Sequence, residues 1–206
     1  MESHFPKMLD KSVAKGGPAE YQYQVRDRSL KYVKNRRTAL DIGANVGLWS
    51  RSLCDNFNNV IAFEPVSMFR ECLVKNVKKS NLTIETCALG NENTTAHMII
   101  TEGNTGHTHI NPESIGHGNI QIKRLDDLNV VDVDYIKMDC EGFEFRVLQG
   151  AEQTIKKWRP IVVVEQKPHD AYSSQYGQFA AIELLTSWGM VKLDQVKDDW
   201  VMGWPR

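Results

Sequence analysis

The stretch that most constrains this chain runs from Thr38 to Gly47, where an apolar run ends in an acid and two glycines follow. We interpret it as a strand at 38–42, a tight turn and a helix at about 46–57. Gly43 and Gly47 lack a Cβ atom, so the backbone can turn sharply and a ligand can lie against it. In an open parallel sheet, nucleotide-like ligands bind at the carboxyl end of the first strand. The stretch therefore predicts a ligand site at that end.

The length and charge of the chain limit the classes of protein to which it can belong. Its 206 residues are enough for one domain with a sizeable core. We expect a flexible arm at 1–17, followed by a single domain at 18–206. A formal net charge of −1 gives no electrostatic attraction for nucleic acid. The sequence shows neither a long apolar run nor a signal-peptide pattern, so we predict a cytoplasmic protein without a membrane span.

Apolar runs and helical patterns alternate through the first half of the chain. A short strand is expected at 60–63, a helix at about 66–79 and a third strand at 82–89. Three strands that alternate with two helices indicate βαβ units and a parallel sheet. An additional helix at 19–35 is expected to pack on the edge of this sheet.

The pattern is weaker between the third strand and the next long apolar run, at 133–138. Here we expect short strands at 94–101 and 120–123, separated by a long loop at 102–118 of a kind that is often functional. The remaining elements are expected to be a helix at 143–158 that Gly150 could interrupt, a strand at 161–164, a helix at 176–188 and an antiparallel hairpin at 190–196 and 200–204.

Two acids, Asp41 and Glu64, stand at the ends of the first two predicted strands. A carboxylate is repelled by a pyrophosphate but attracted by a sulfonium and an amino group, so Asp41 favours a cationic ligand. Glu64 is placed to accept hydrogen bonds from both hydroxyls of a ribose. Each acid could instead cap the helix that follows it. Asn45 stands where the dinucleotide fingerprint has its second glycine, which counts against an NAD-dependent oxidoreductase.

The tip of the third strand adds a wall that suits an adenine ring. Ala88 and Leu89 could form a flat apolar surface there, although a plain core strand has the same pattern. Together, these features suggest S-adenosylmethionine as the cofactor. The residues that we expect to bind it are Asp41, Gly43, Asn45, Gly47, Glu64, Ala88, Leu89 and Asp139.

The motifs at these strand ends occur together in one known family. They are Asp41-Ile42-Gly43-Ala44-Asn45-Val46-Gly47, Phe63-Glu64-Pro65, Ala88-Leu89-Gly90, Leu125-Asp126-Asp127-Leu128 and Ile136-Lys137-Met138-Asp139-Cys140-Glu141-Gly142-Phe143-Glu144. From about residue 38 to 204, the chain resembles the FkbM-type family of class I methyltransferases. The resemblance implies an α/β fold, a Rossmann-like sheet of seven mostly parallel strands with a C-terminal antiparallel hairpin and helices on both faces. It also implies methyl transfer from S-adenosylmethionine, usually to a hydroxyl oxygen.

The end of the strand at 133–138 carries the residues that we expect to reach the transferred methyl group. Asp139 or Glu141 could orient or deprotonate an acceptor hydroxyl, and Lys137 could stabilise the developing oxyanion. Alternation along the strand puts Lys137 and Asp139 on one face of the sheet. Glu141 could instead cap the next helix, for which Glu144 is the better candidate.

A metal-dependent mechanism is the main alternative for the same strand ends. Catechol-type O-methyltransferases place a carboxylate after the fourth strand and a carboxylate plus an amide after the fifth. This chain offers Asp139 and then Glu165 and Gln166, whose oxygen atoms would suit Mg²⁺ or Mn²⁺. Such a metal would hold the acceptor hydroxyl and lower its pKa. In the absence of a metal, His169 is the histidine best placed to act as a base.

These observations predict an S-adenosylmethionine-dependent O-methyltransferase that acts on a hydroxyl of a small molecule, such as a sugar or a polyketide-like compound. A nucleic-acid acceptor is not expected, because the sequence has no basic face and no aromatic motif for exocyclic amines. A metal-dependent enzyme and a non-catalytic nucleoside-binding module are the alternatives. The module would bind the cofactor and its product alike and never turn over.

Overall fold

The structure is a computed structural model that describes residues 21–101, 107–167 and 173–205. The arm predicted at 1–17 and the candidate base His169 both lie outside the described residues. Among the described residues, no helix has the length and apolar character needed to cross a membrane.

The helices of the described chain are short, and they alternate with strands along most of its length. The helices are α1 (Tyr23–Ser29), α2 (Leu48–Cys54), α3 (Ser67–Asn76), α4 (Glu144–Gln149), α5 (Glu152–Trp158), α6 (Ser173–Tyr176) and α7 (Ala180–Ser187). The strands are β1 (Thr38–Ile42), β2 (Asn59–Phe63), β3 (Leu82–Glu85), β4 (Ala88–Leu89), β5 (Thr94–Ala96), β6 (Met98–Ile99), β7 (His109–Ile110), β8 (Ile120–Lys123), β9 (Val133–Met138), β10 (Ile161–Glu165), β11 (Val191–Val196) and β12 (Asp199–Gly203).

The main sheet has seven strands in the order β3-β2-β1-β9-β10-β12-β11. Strands β3, β2, β1, β9 and β10 pair in parallel, whereas β12 is antiparallel to both β10 and β11. This topology confirms the predicted seven-stranded sheet and its C-terminal hairpin. The chain order reverses at β1, which pairs with β2 on one side and β9 on the other, and ligands of open α/β sheets bind outside the carboxyl ends of the strands at such a point.

Alternate residues of the central strands face opposite sides of the sheet, and helices cover both sides. Leu40 of β1 belongs to a buried cluster that includes Val147 of α4 and Leu185 of α7. Its neighbour Ala39 belongs to a second buried cluster that includes Leu53 of α2. Because side chains alternate along a strand, Asp41 lies on the same face as Ala39, the face that α2 covers.

The third strand is shorter than the sequence predicted. Only β3 joins the main sheet, and β4 pairs instead with β8 in a separate three-stranded sheet with the order β4-β8-β5. Strand β3 lies at the edge of the main sheet and is partly exposed, whereas Cys87, Ala88 and Leu89 are fully buried. The chain therefore leaves the sheet edge after Glu85, and its next apolar residues pack in the buried cluster that contains Leu40.

The helix predicted at 143–158 is divided into α4 and α5 at Gly150. A Cβ atom on Gly150 would lie 1.9 Å from the carbonyl oxygen of Gly90, so glycine lets the end of α4 approach the tip of β4. The Gly150 carbonyl oxygen also accepts a hydrogen bond from the Asp126 backbone N–H at 2.9 Å. The break thus anchors the smaller sheet against the helix that follows β9.

Candidate functional site

A cleft of about 360 Å³ opens at the carboxyl ends of β1, β2, β9 and β10. Its volume lies in the range of small-molecule and cofactor sites. Most of the residues predicted to bind the cofactor line this cleft, namely Asp41, Gly43, Asn45, Glu64, Ala88, Leu89 and Asp139. The predicted catalytic residues Lys137 and Glu141 line it as well.

Gly47 is the predicted binding residue that does not line the cleft. Its φ is +87°, and a Cβ atom there would lie 2.9 Å from the Cγ atom of Leu73 in α3. Gly47 therefore turns the chain into α2 and lets this turn pack on α3, a structural role that needs no ligand.

Asp41 lies at the tip of β1 with only 2% of its surface exposed. Its Oδ2 atom accepts a hydrogen bond from the Ser50 hydroxyl of α2 at 2.5 Å. Burial raises the pKa of Asp41 to about 6, although Ser50 and the nearby charge of Lys137 act in the opposite direction. Helix α2 starts without a side-chain cap, so Asp41 is not the helix cap that its sequence position also allowed.

Glu64 joins the turn after β1 to the turn after β2. Its two carboxylate oxygens accept hydrogen bonds from the backbone N–H groups of Asn45 and Val66, both at 2.8 Å. Burial raises the pKa of Glu64 to about 7, and these two hydrogen bonds only partly offset that effect. A carboxylate offers about four acceptor positions, so two remain for hydroxyl donors on a ligand.

Part of the apolar wall of the cleft comes from two smaller sheets, the three-stranded sheet that contains β4 and a two-stranded sheet of β6 and β7. Ala88 and Leu89 line it as the sequence suggested. Met98 of β6 and Ile110 of β7 also line it, and these two residues face each other in a small antiparallel pair. Strand β6 falls within the strand predicted at 94–101, whereas the two-residue strand β7 lies in the segment that was predicted to be a loop.

Lys137 is the most buried charged residue of the site, with 1% of its surface exposed. Its Nζ atom lies 3.4 Å from Asp139 Oδ2 and 3.7 Å from Asp199 Oδ1, and it stands 5.5 Å from the centroid of the Trp49 ring. Burial alone would lower the pKa of Lys137, but the carboxylates of Asp139 and Asp199 raise it above its ordinary value. Lys137 is therefore a permanent cation and cannot act as a base.

Three carboxylates meet at the ends of β9 and β10. One oxygen atom from each of Asp139, Glu141 and Glu165 lies within 4.8 Å of the other two. The Nζ atom of Lys167 lies 2.6 Å from Glu165 Oε2 and 3.2 Å from the oxygens of Glu141. The cluster therefore combines acids with two ammonium groups, those of Lys137 and Lys167.

The Asp139 and Glu165 carboxylates lie close enough together for each to shift the pKa of the other. Burial and the negative charge of Asp139 raise the pKa of Glu165 to about 9. Burial pushes the pKa of Asp139 upward, but the Lys137 charge and a hydrogen bond with Glu165 bring it below its ordinary value. Of the two acids, Glu165 is therefore the one that holds a proton more readily, and Asp139 is the one that carries the negative charge.

The structure also bears on the predicted metal ligand Gln166 and on the choice between Glu141 and Glu144 at the start of α4. Gln166 does not join the carboxylates, because its Oε1 atom accepts a hydrogen bond from the Ala181 backbone N–H at 3.2 Å. Glu144, not Glu141, serves the turn before α4, since its Oε1 atom accepts from the Cys140 N–H at 2.6 Å. Glu141 itself has a φ of +53° and faces the cleft.

Three polar residues of the site, in addition to the apolar residues Met98 and Ile110, were missed by sequence reasoning. Lys167 follows β10 and Asp199 begins β12, so each reaches the cluster through strand pairing that no local pattern encodes. Tyr21 lines the cleft from the segment before α1, and the adjacent Gln22 accepts a hydrogen bond from the Trp49 indole N–H at 2.5 Å. Burial and the charge of Asp139 raise the pKa of Tyr21 to about 12, so its hydroxyl keeps its proton.

The sequence matches the family model described as "Methyltransferase FkbM domain" over residues 41–190. That match spans most of the chain and confirms the family that the motifs indicated. A search of curated proteins finds no match.

Solved structures with a similar fold are methyltransferases of low sequence identity. Methyltransferase FkbM from Methylobacillus flagellatus is 18% identical with a TM-score of 0.51, and the match covers 80% of this chain but 42% of that protein. A SAM-dependent methyltransferase from Aquifex aeolicus is 14% identical with a TM-score of 0.54 over 98% of this chain and 96% of its own. A protein from Streptococcus mutans solved in complex with SAH is 8% identical with a TM-score of 0.53, over 89% and 96%. At these identities, the comparisons establish the fold.

Proposed function

We propose, since the chain belongs to the FkbM family of methyltransferases, that it transfers the methyl group of S-adenosylmethionine to a hydroxyl oxygen of a small molecule, such as a sugar or a polyketide-like compound. The observation that carries this proposal is the cluster of Asp139, Glu141 and Glu165 with Lys137 and Lys167. It lies in the same cleft as the two acids at the tips of β1 and β2.

The described residues of the cleft fit this cofactor. Asp41 and Glu64 are buried acids whose neighbours only partly offset the cost of burying their charge. A cationic ligand with hydroxyl groups would supply positive charge and hydrogen-bond donors to these acids. Asp41 would lie near its amino acid end and Glu64 at its ribose. Ala88 and Leu89 supply an apolar wall for the adenine. The cofactor, when bound, supplies an activated methyl group.

The chain's own residues would align the acceptor and take up its proton. The Asp139 carboxylate would accept the hydrogen of the acceptor hydroxyl and point its oxygen at the methyl carbon. On transfer of the methyl group to the acceptor oxygen, Asp139 would take up the hydroxyl proton. Lys137 and the neutral Glu165 keep Asp139 ionised before the reaction, because both lower its pKa.

The polarity of the cluster favours an acceptor with several hydroxyl groups. Glu141 and Lys167 flank Asp139 and offer both acceptors and donors at the cleft wall. A sugar could form further hydrogen bonds with these paired groups through neighbouring hydroxyls, whereas a mainly apolar acceptor would only remove them from water. A sugar is therefore better supported as the acceptor than a mainly apolar polyketide-like compound.

Methyl transfer from labelled S-adenosylmethionine to a panel of acceptors tests this proposal. The panel should contain sugars, hydroxylated polyketides, amines and carboxylic acids. We expect label in a product that resists mild base, as an ether does and a methyl ester does not. Label found only on amines or carboxylates would overturn the hydroxyl assignment. Cofactor binding without transfer to any acceptor would instead favour the nucleoside-binding module.

A metal-dependent reaction is a second candidate because the oxygens of Asp139, Glu141 and Glu165 converge within 4.8 Å. Oxygen donors of this kind suit Mg²⁺ or Mn²⁺. The present arrangement fits a metal poorly, however, since Lys167 already contacts Glu165 and Glu141, and Lys137 contacts Asp139. No step of the reaction above needs the ion. Loss of activity after treatment with a chelator, and its return with Mg²⁺ or Mn²⁺, would support this candidate, and full activity in the chelator would remove it.

A further inference from the structure

Asp199 places a carboxylate beside Lys137, at the end of the cleft where the proposed function puts the methyl group of the cofactor. We call this part the methyl end of the cleft. In strand β12, which is antiparallel to β10, the first residue lies at the carboxyl edge of the parallel strands. Asp199 is that residue, and it pairs in register with Glu165, the last residue of β10. It stands outside the family match at 41–190 and does not line the cleft itself.

The environment of Asp199 is unusual for a carboxylate. The side chain is 9% exposed, and within the described chain its Oδ1 atom has no hydrogen-bond partner. The nearest cation is the Lys137 ammonium, 3.7 Å from that atom. A buried carboxylate oxygen without a hydrogen bond is costly unless a charge compensates for it. Burial raises the pKa of Asp199, and the charges of Lys137 and, to a smaller extent, Lys167 act against that effect.

Lys137 is consequently shared between two acids. Its Nζ atom lies 3.4 Å from Asp139 and 3.7 Å from Asp199. Glu165 on β10 and Asp41 on β1 also act on Lys137, and Glu165 favours its neutral form at pH 7 because its pKa is about 9. If Lys137 faced Asp139 alone, the two charges would cancel. With Asp199 present, the three groups carry a net negative charge at the cleft wall.

We propose that Asp199 is a positioning residue that acts through Lys137 and gives the methyl end of the cleft its preference for a cationic sulfonium over a neutral thioether. The inference rests on the proposed function, because it takes S-adenosylmethionine as the ligand. Asp199, which does not line the cleft, balances the ammonium of Lys137, so that the negative charge of Asp139 stays available to the ligand. Opposite charges in a partly buried site attract strongly enough to affect binding many-fold.

Titration calorimetry with S-adenosylmethionine and S-adenosylhomocysteine tests this inference without knowledge of the acceptor. Asp199→Asn keeps the shape of the side chain and removes its charge. We expect it to weaken binding of S-adenosylmethionine by about tenfold and that of S-adenosylhomocysteine by less than about twofold. The matched control is Asp198→Asn, which removes an exposed charge at the preceding position and should leave both affinities unchanged. Asp199→Glu should keep most of the preference.

A double variant tests whether Asp199 acts through Lys137. Lys137→Met combined with Asp199→Asn removes one charge of each sign, so the ratio of the two affinities should return to within about threefold of the wild-type ratio. The inference alone would be overturned if Asp199→Asn left the ratio of the two affinities unchanged. It would also be overturned if the double variant had the same altered ratio as the single variant. A wild-type protein that binds neither ligand would overturn the proposed function and this inference with it.

Discussion

Gly43 and Asp139 are packed so closely that a Cβ atom on residue 43 would lie 2.0 Å from the backbone carbonyl oxygen of Asp139. The backbone N–H of Asp139 donates to the Ile42 carbonyl oxygen at 3.1 Å, so the tips of β1 and β9 are in contact. Gly43 also has a φ of +81°, in the left-handed region that side chains disfavour. This contact sets how close the acids at the two strand tips can be.

Replacing Gly43 with alanine should therefore damage both stability and the cleft. The variant Gly43→Ala adds left-handed strain of about 1–2 kcal/mol and a clash that forces the β9 tip away. We expect the free energy of unfolding to fall by at least about 2 kcal/mol and the affinity for S-adenosylmethionine to fall more than about tenfold. Urea denaturation and titration calorimetry measure the two effects.

Gly189→Ala provides the matched control for this prediction. Gly189 has a φ of +92°, but a Cβ atom there would meet nothing within 4 Å. The control should therefore show the strain, about 1–2 kcal/mol, without any change in cofactor affinity. If Gly43→Ala behaves like Gly189→Ala, the contact between the two strand tips does not hold the cleft in shape.

The parts of this site that the sequence predicted are those encoded by local patterns. Asp41, Glu64 and Asp139 each follow an apolar run, and such runs indicated buried strands whose ends had to share one edge of a parallel sheet. Gly43 marked the turn after the first of these strands. The C-terminal hairpin was likewise visible, because Lys197 to Asp199 separate two strand-like segments.

The parts that the sequence did not predict depend on pairings between distant segments. Asp199 meets Lys137 only because β12 pairs with β10 in a register that puts Asp199 opposite Glu165. The departure of β4 from the main sheet depends on its pairing with β8. The shift in the pKa of Glu165 also arises from burial and from a neighbour on another strand, Asp139. No pattern within a single element carries this information.

Asp139→Asn should abolish most of the methyl transfer. The amide cannot accept a proton, so we expect the rate to fall by at least about 100-fold, the usual contribution of a general base. The variant also loses the negative charge nearest Lys137, and binding of S-adenosylmethionine should weaken by about tenfold while S-adenosylhomocysteine is little affected. Single-turnover transfer to an acceptor found in the panel above measures the first effect.

Glu165→Gln is the comparison for Asp139→Asn. Glu165 is neutral at pH 7 because its pKa is about 9, so a glutamine amide can replace it as a donor to Asp139. We expect the rate to stay within about threefold of wild type at pH 7, a change much smaller than that from loss of a general base. A loss as large as that of Asp139→Asn would mean that Glu165 takes up the proton itself.

The stability of the ligand-free protein should depend on pH through Glu64. Its pKa is raised from 4.5 to about 7 in the folded protein. The folded state then holds more protons than the unfolded chain between these values, so the stabilisation is fully present below pH 4.5 and is lost as the pH rises through 7. Relative to Glu64→Gln, the wild-type free energy of unfolding should fall by about 1–3 kcal/mol between pH 5 and 8. Parallel pH profiles for the two proteins in urea denaturation would contradict this.

The affinity for S-adenosylmethionine should rise with pH, because ribose hydroxyls and a positive charge favour ionised acids. In the ligand-free protein, the pKa of Glu64 is about 7 and that of Asp41 is about 6. Below these values, binding must first displace protons, so we expect the affinity to increase by about tenfold from pH 5.5 to 7.5. Calorimetry in two buffers of different ionisation enthalpy should show proton release near pH 6.5.

Glu64→Gln separates the contributions of the two acids to this pH profile. The variant should bind more weakly at pH 8, because an amide supplies fewer acceptor positions for hydroxyls than a carboxylate does. Its remaining pH dependence should centre near pH 6, the pKa of Asp41. Asp41→Asn should show the opposite pattern, with the remaining dependence near pH 7 from Glu64. A wild-type affinity that is constant across this range would mean that neither acid changes its protonation when the cofactor binds.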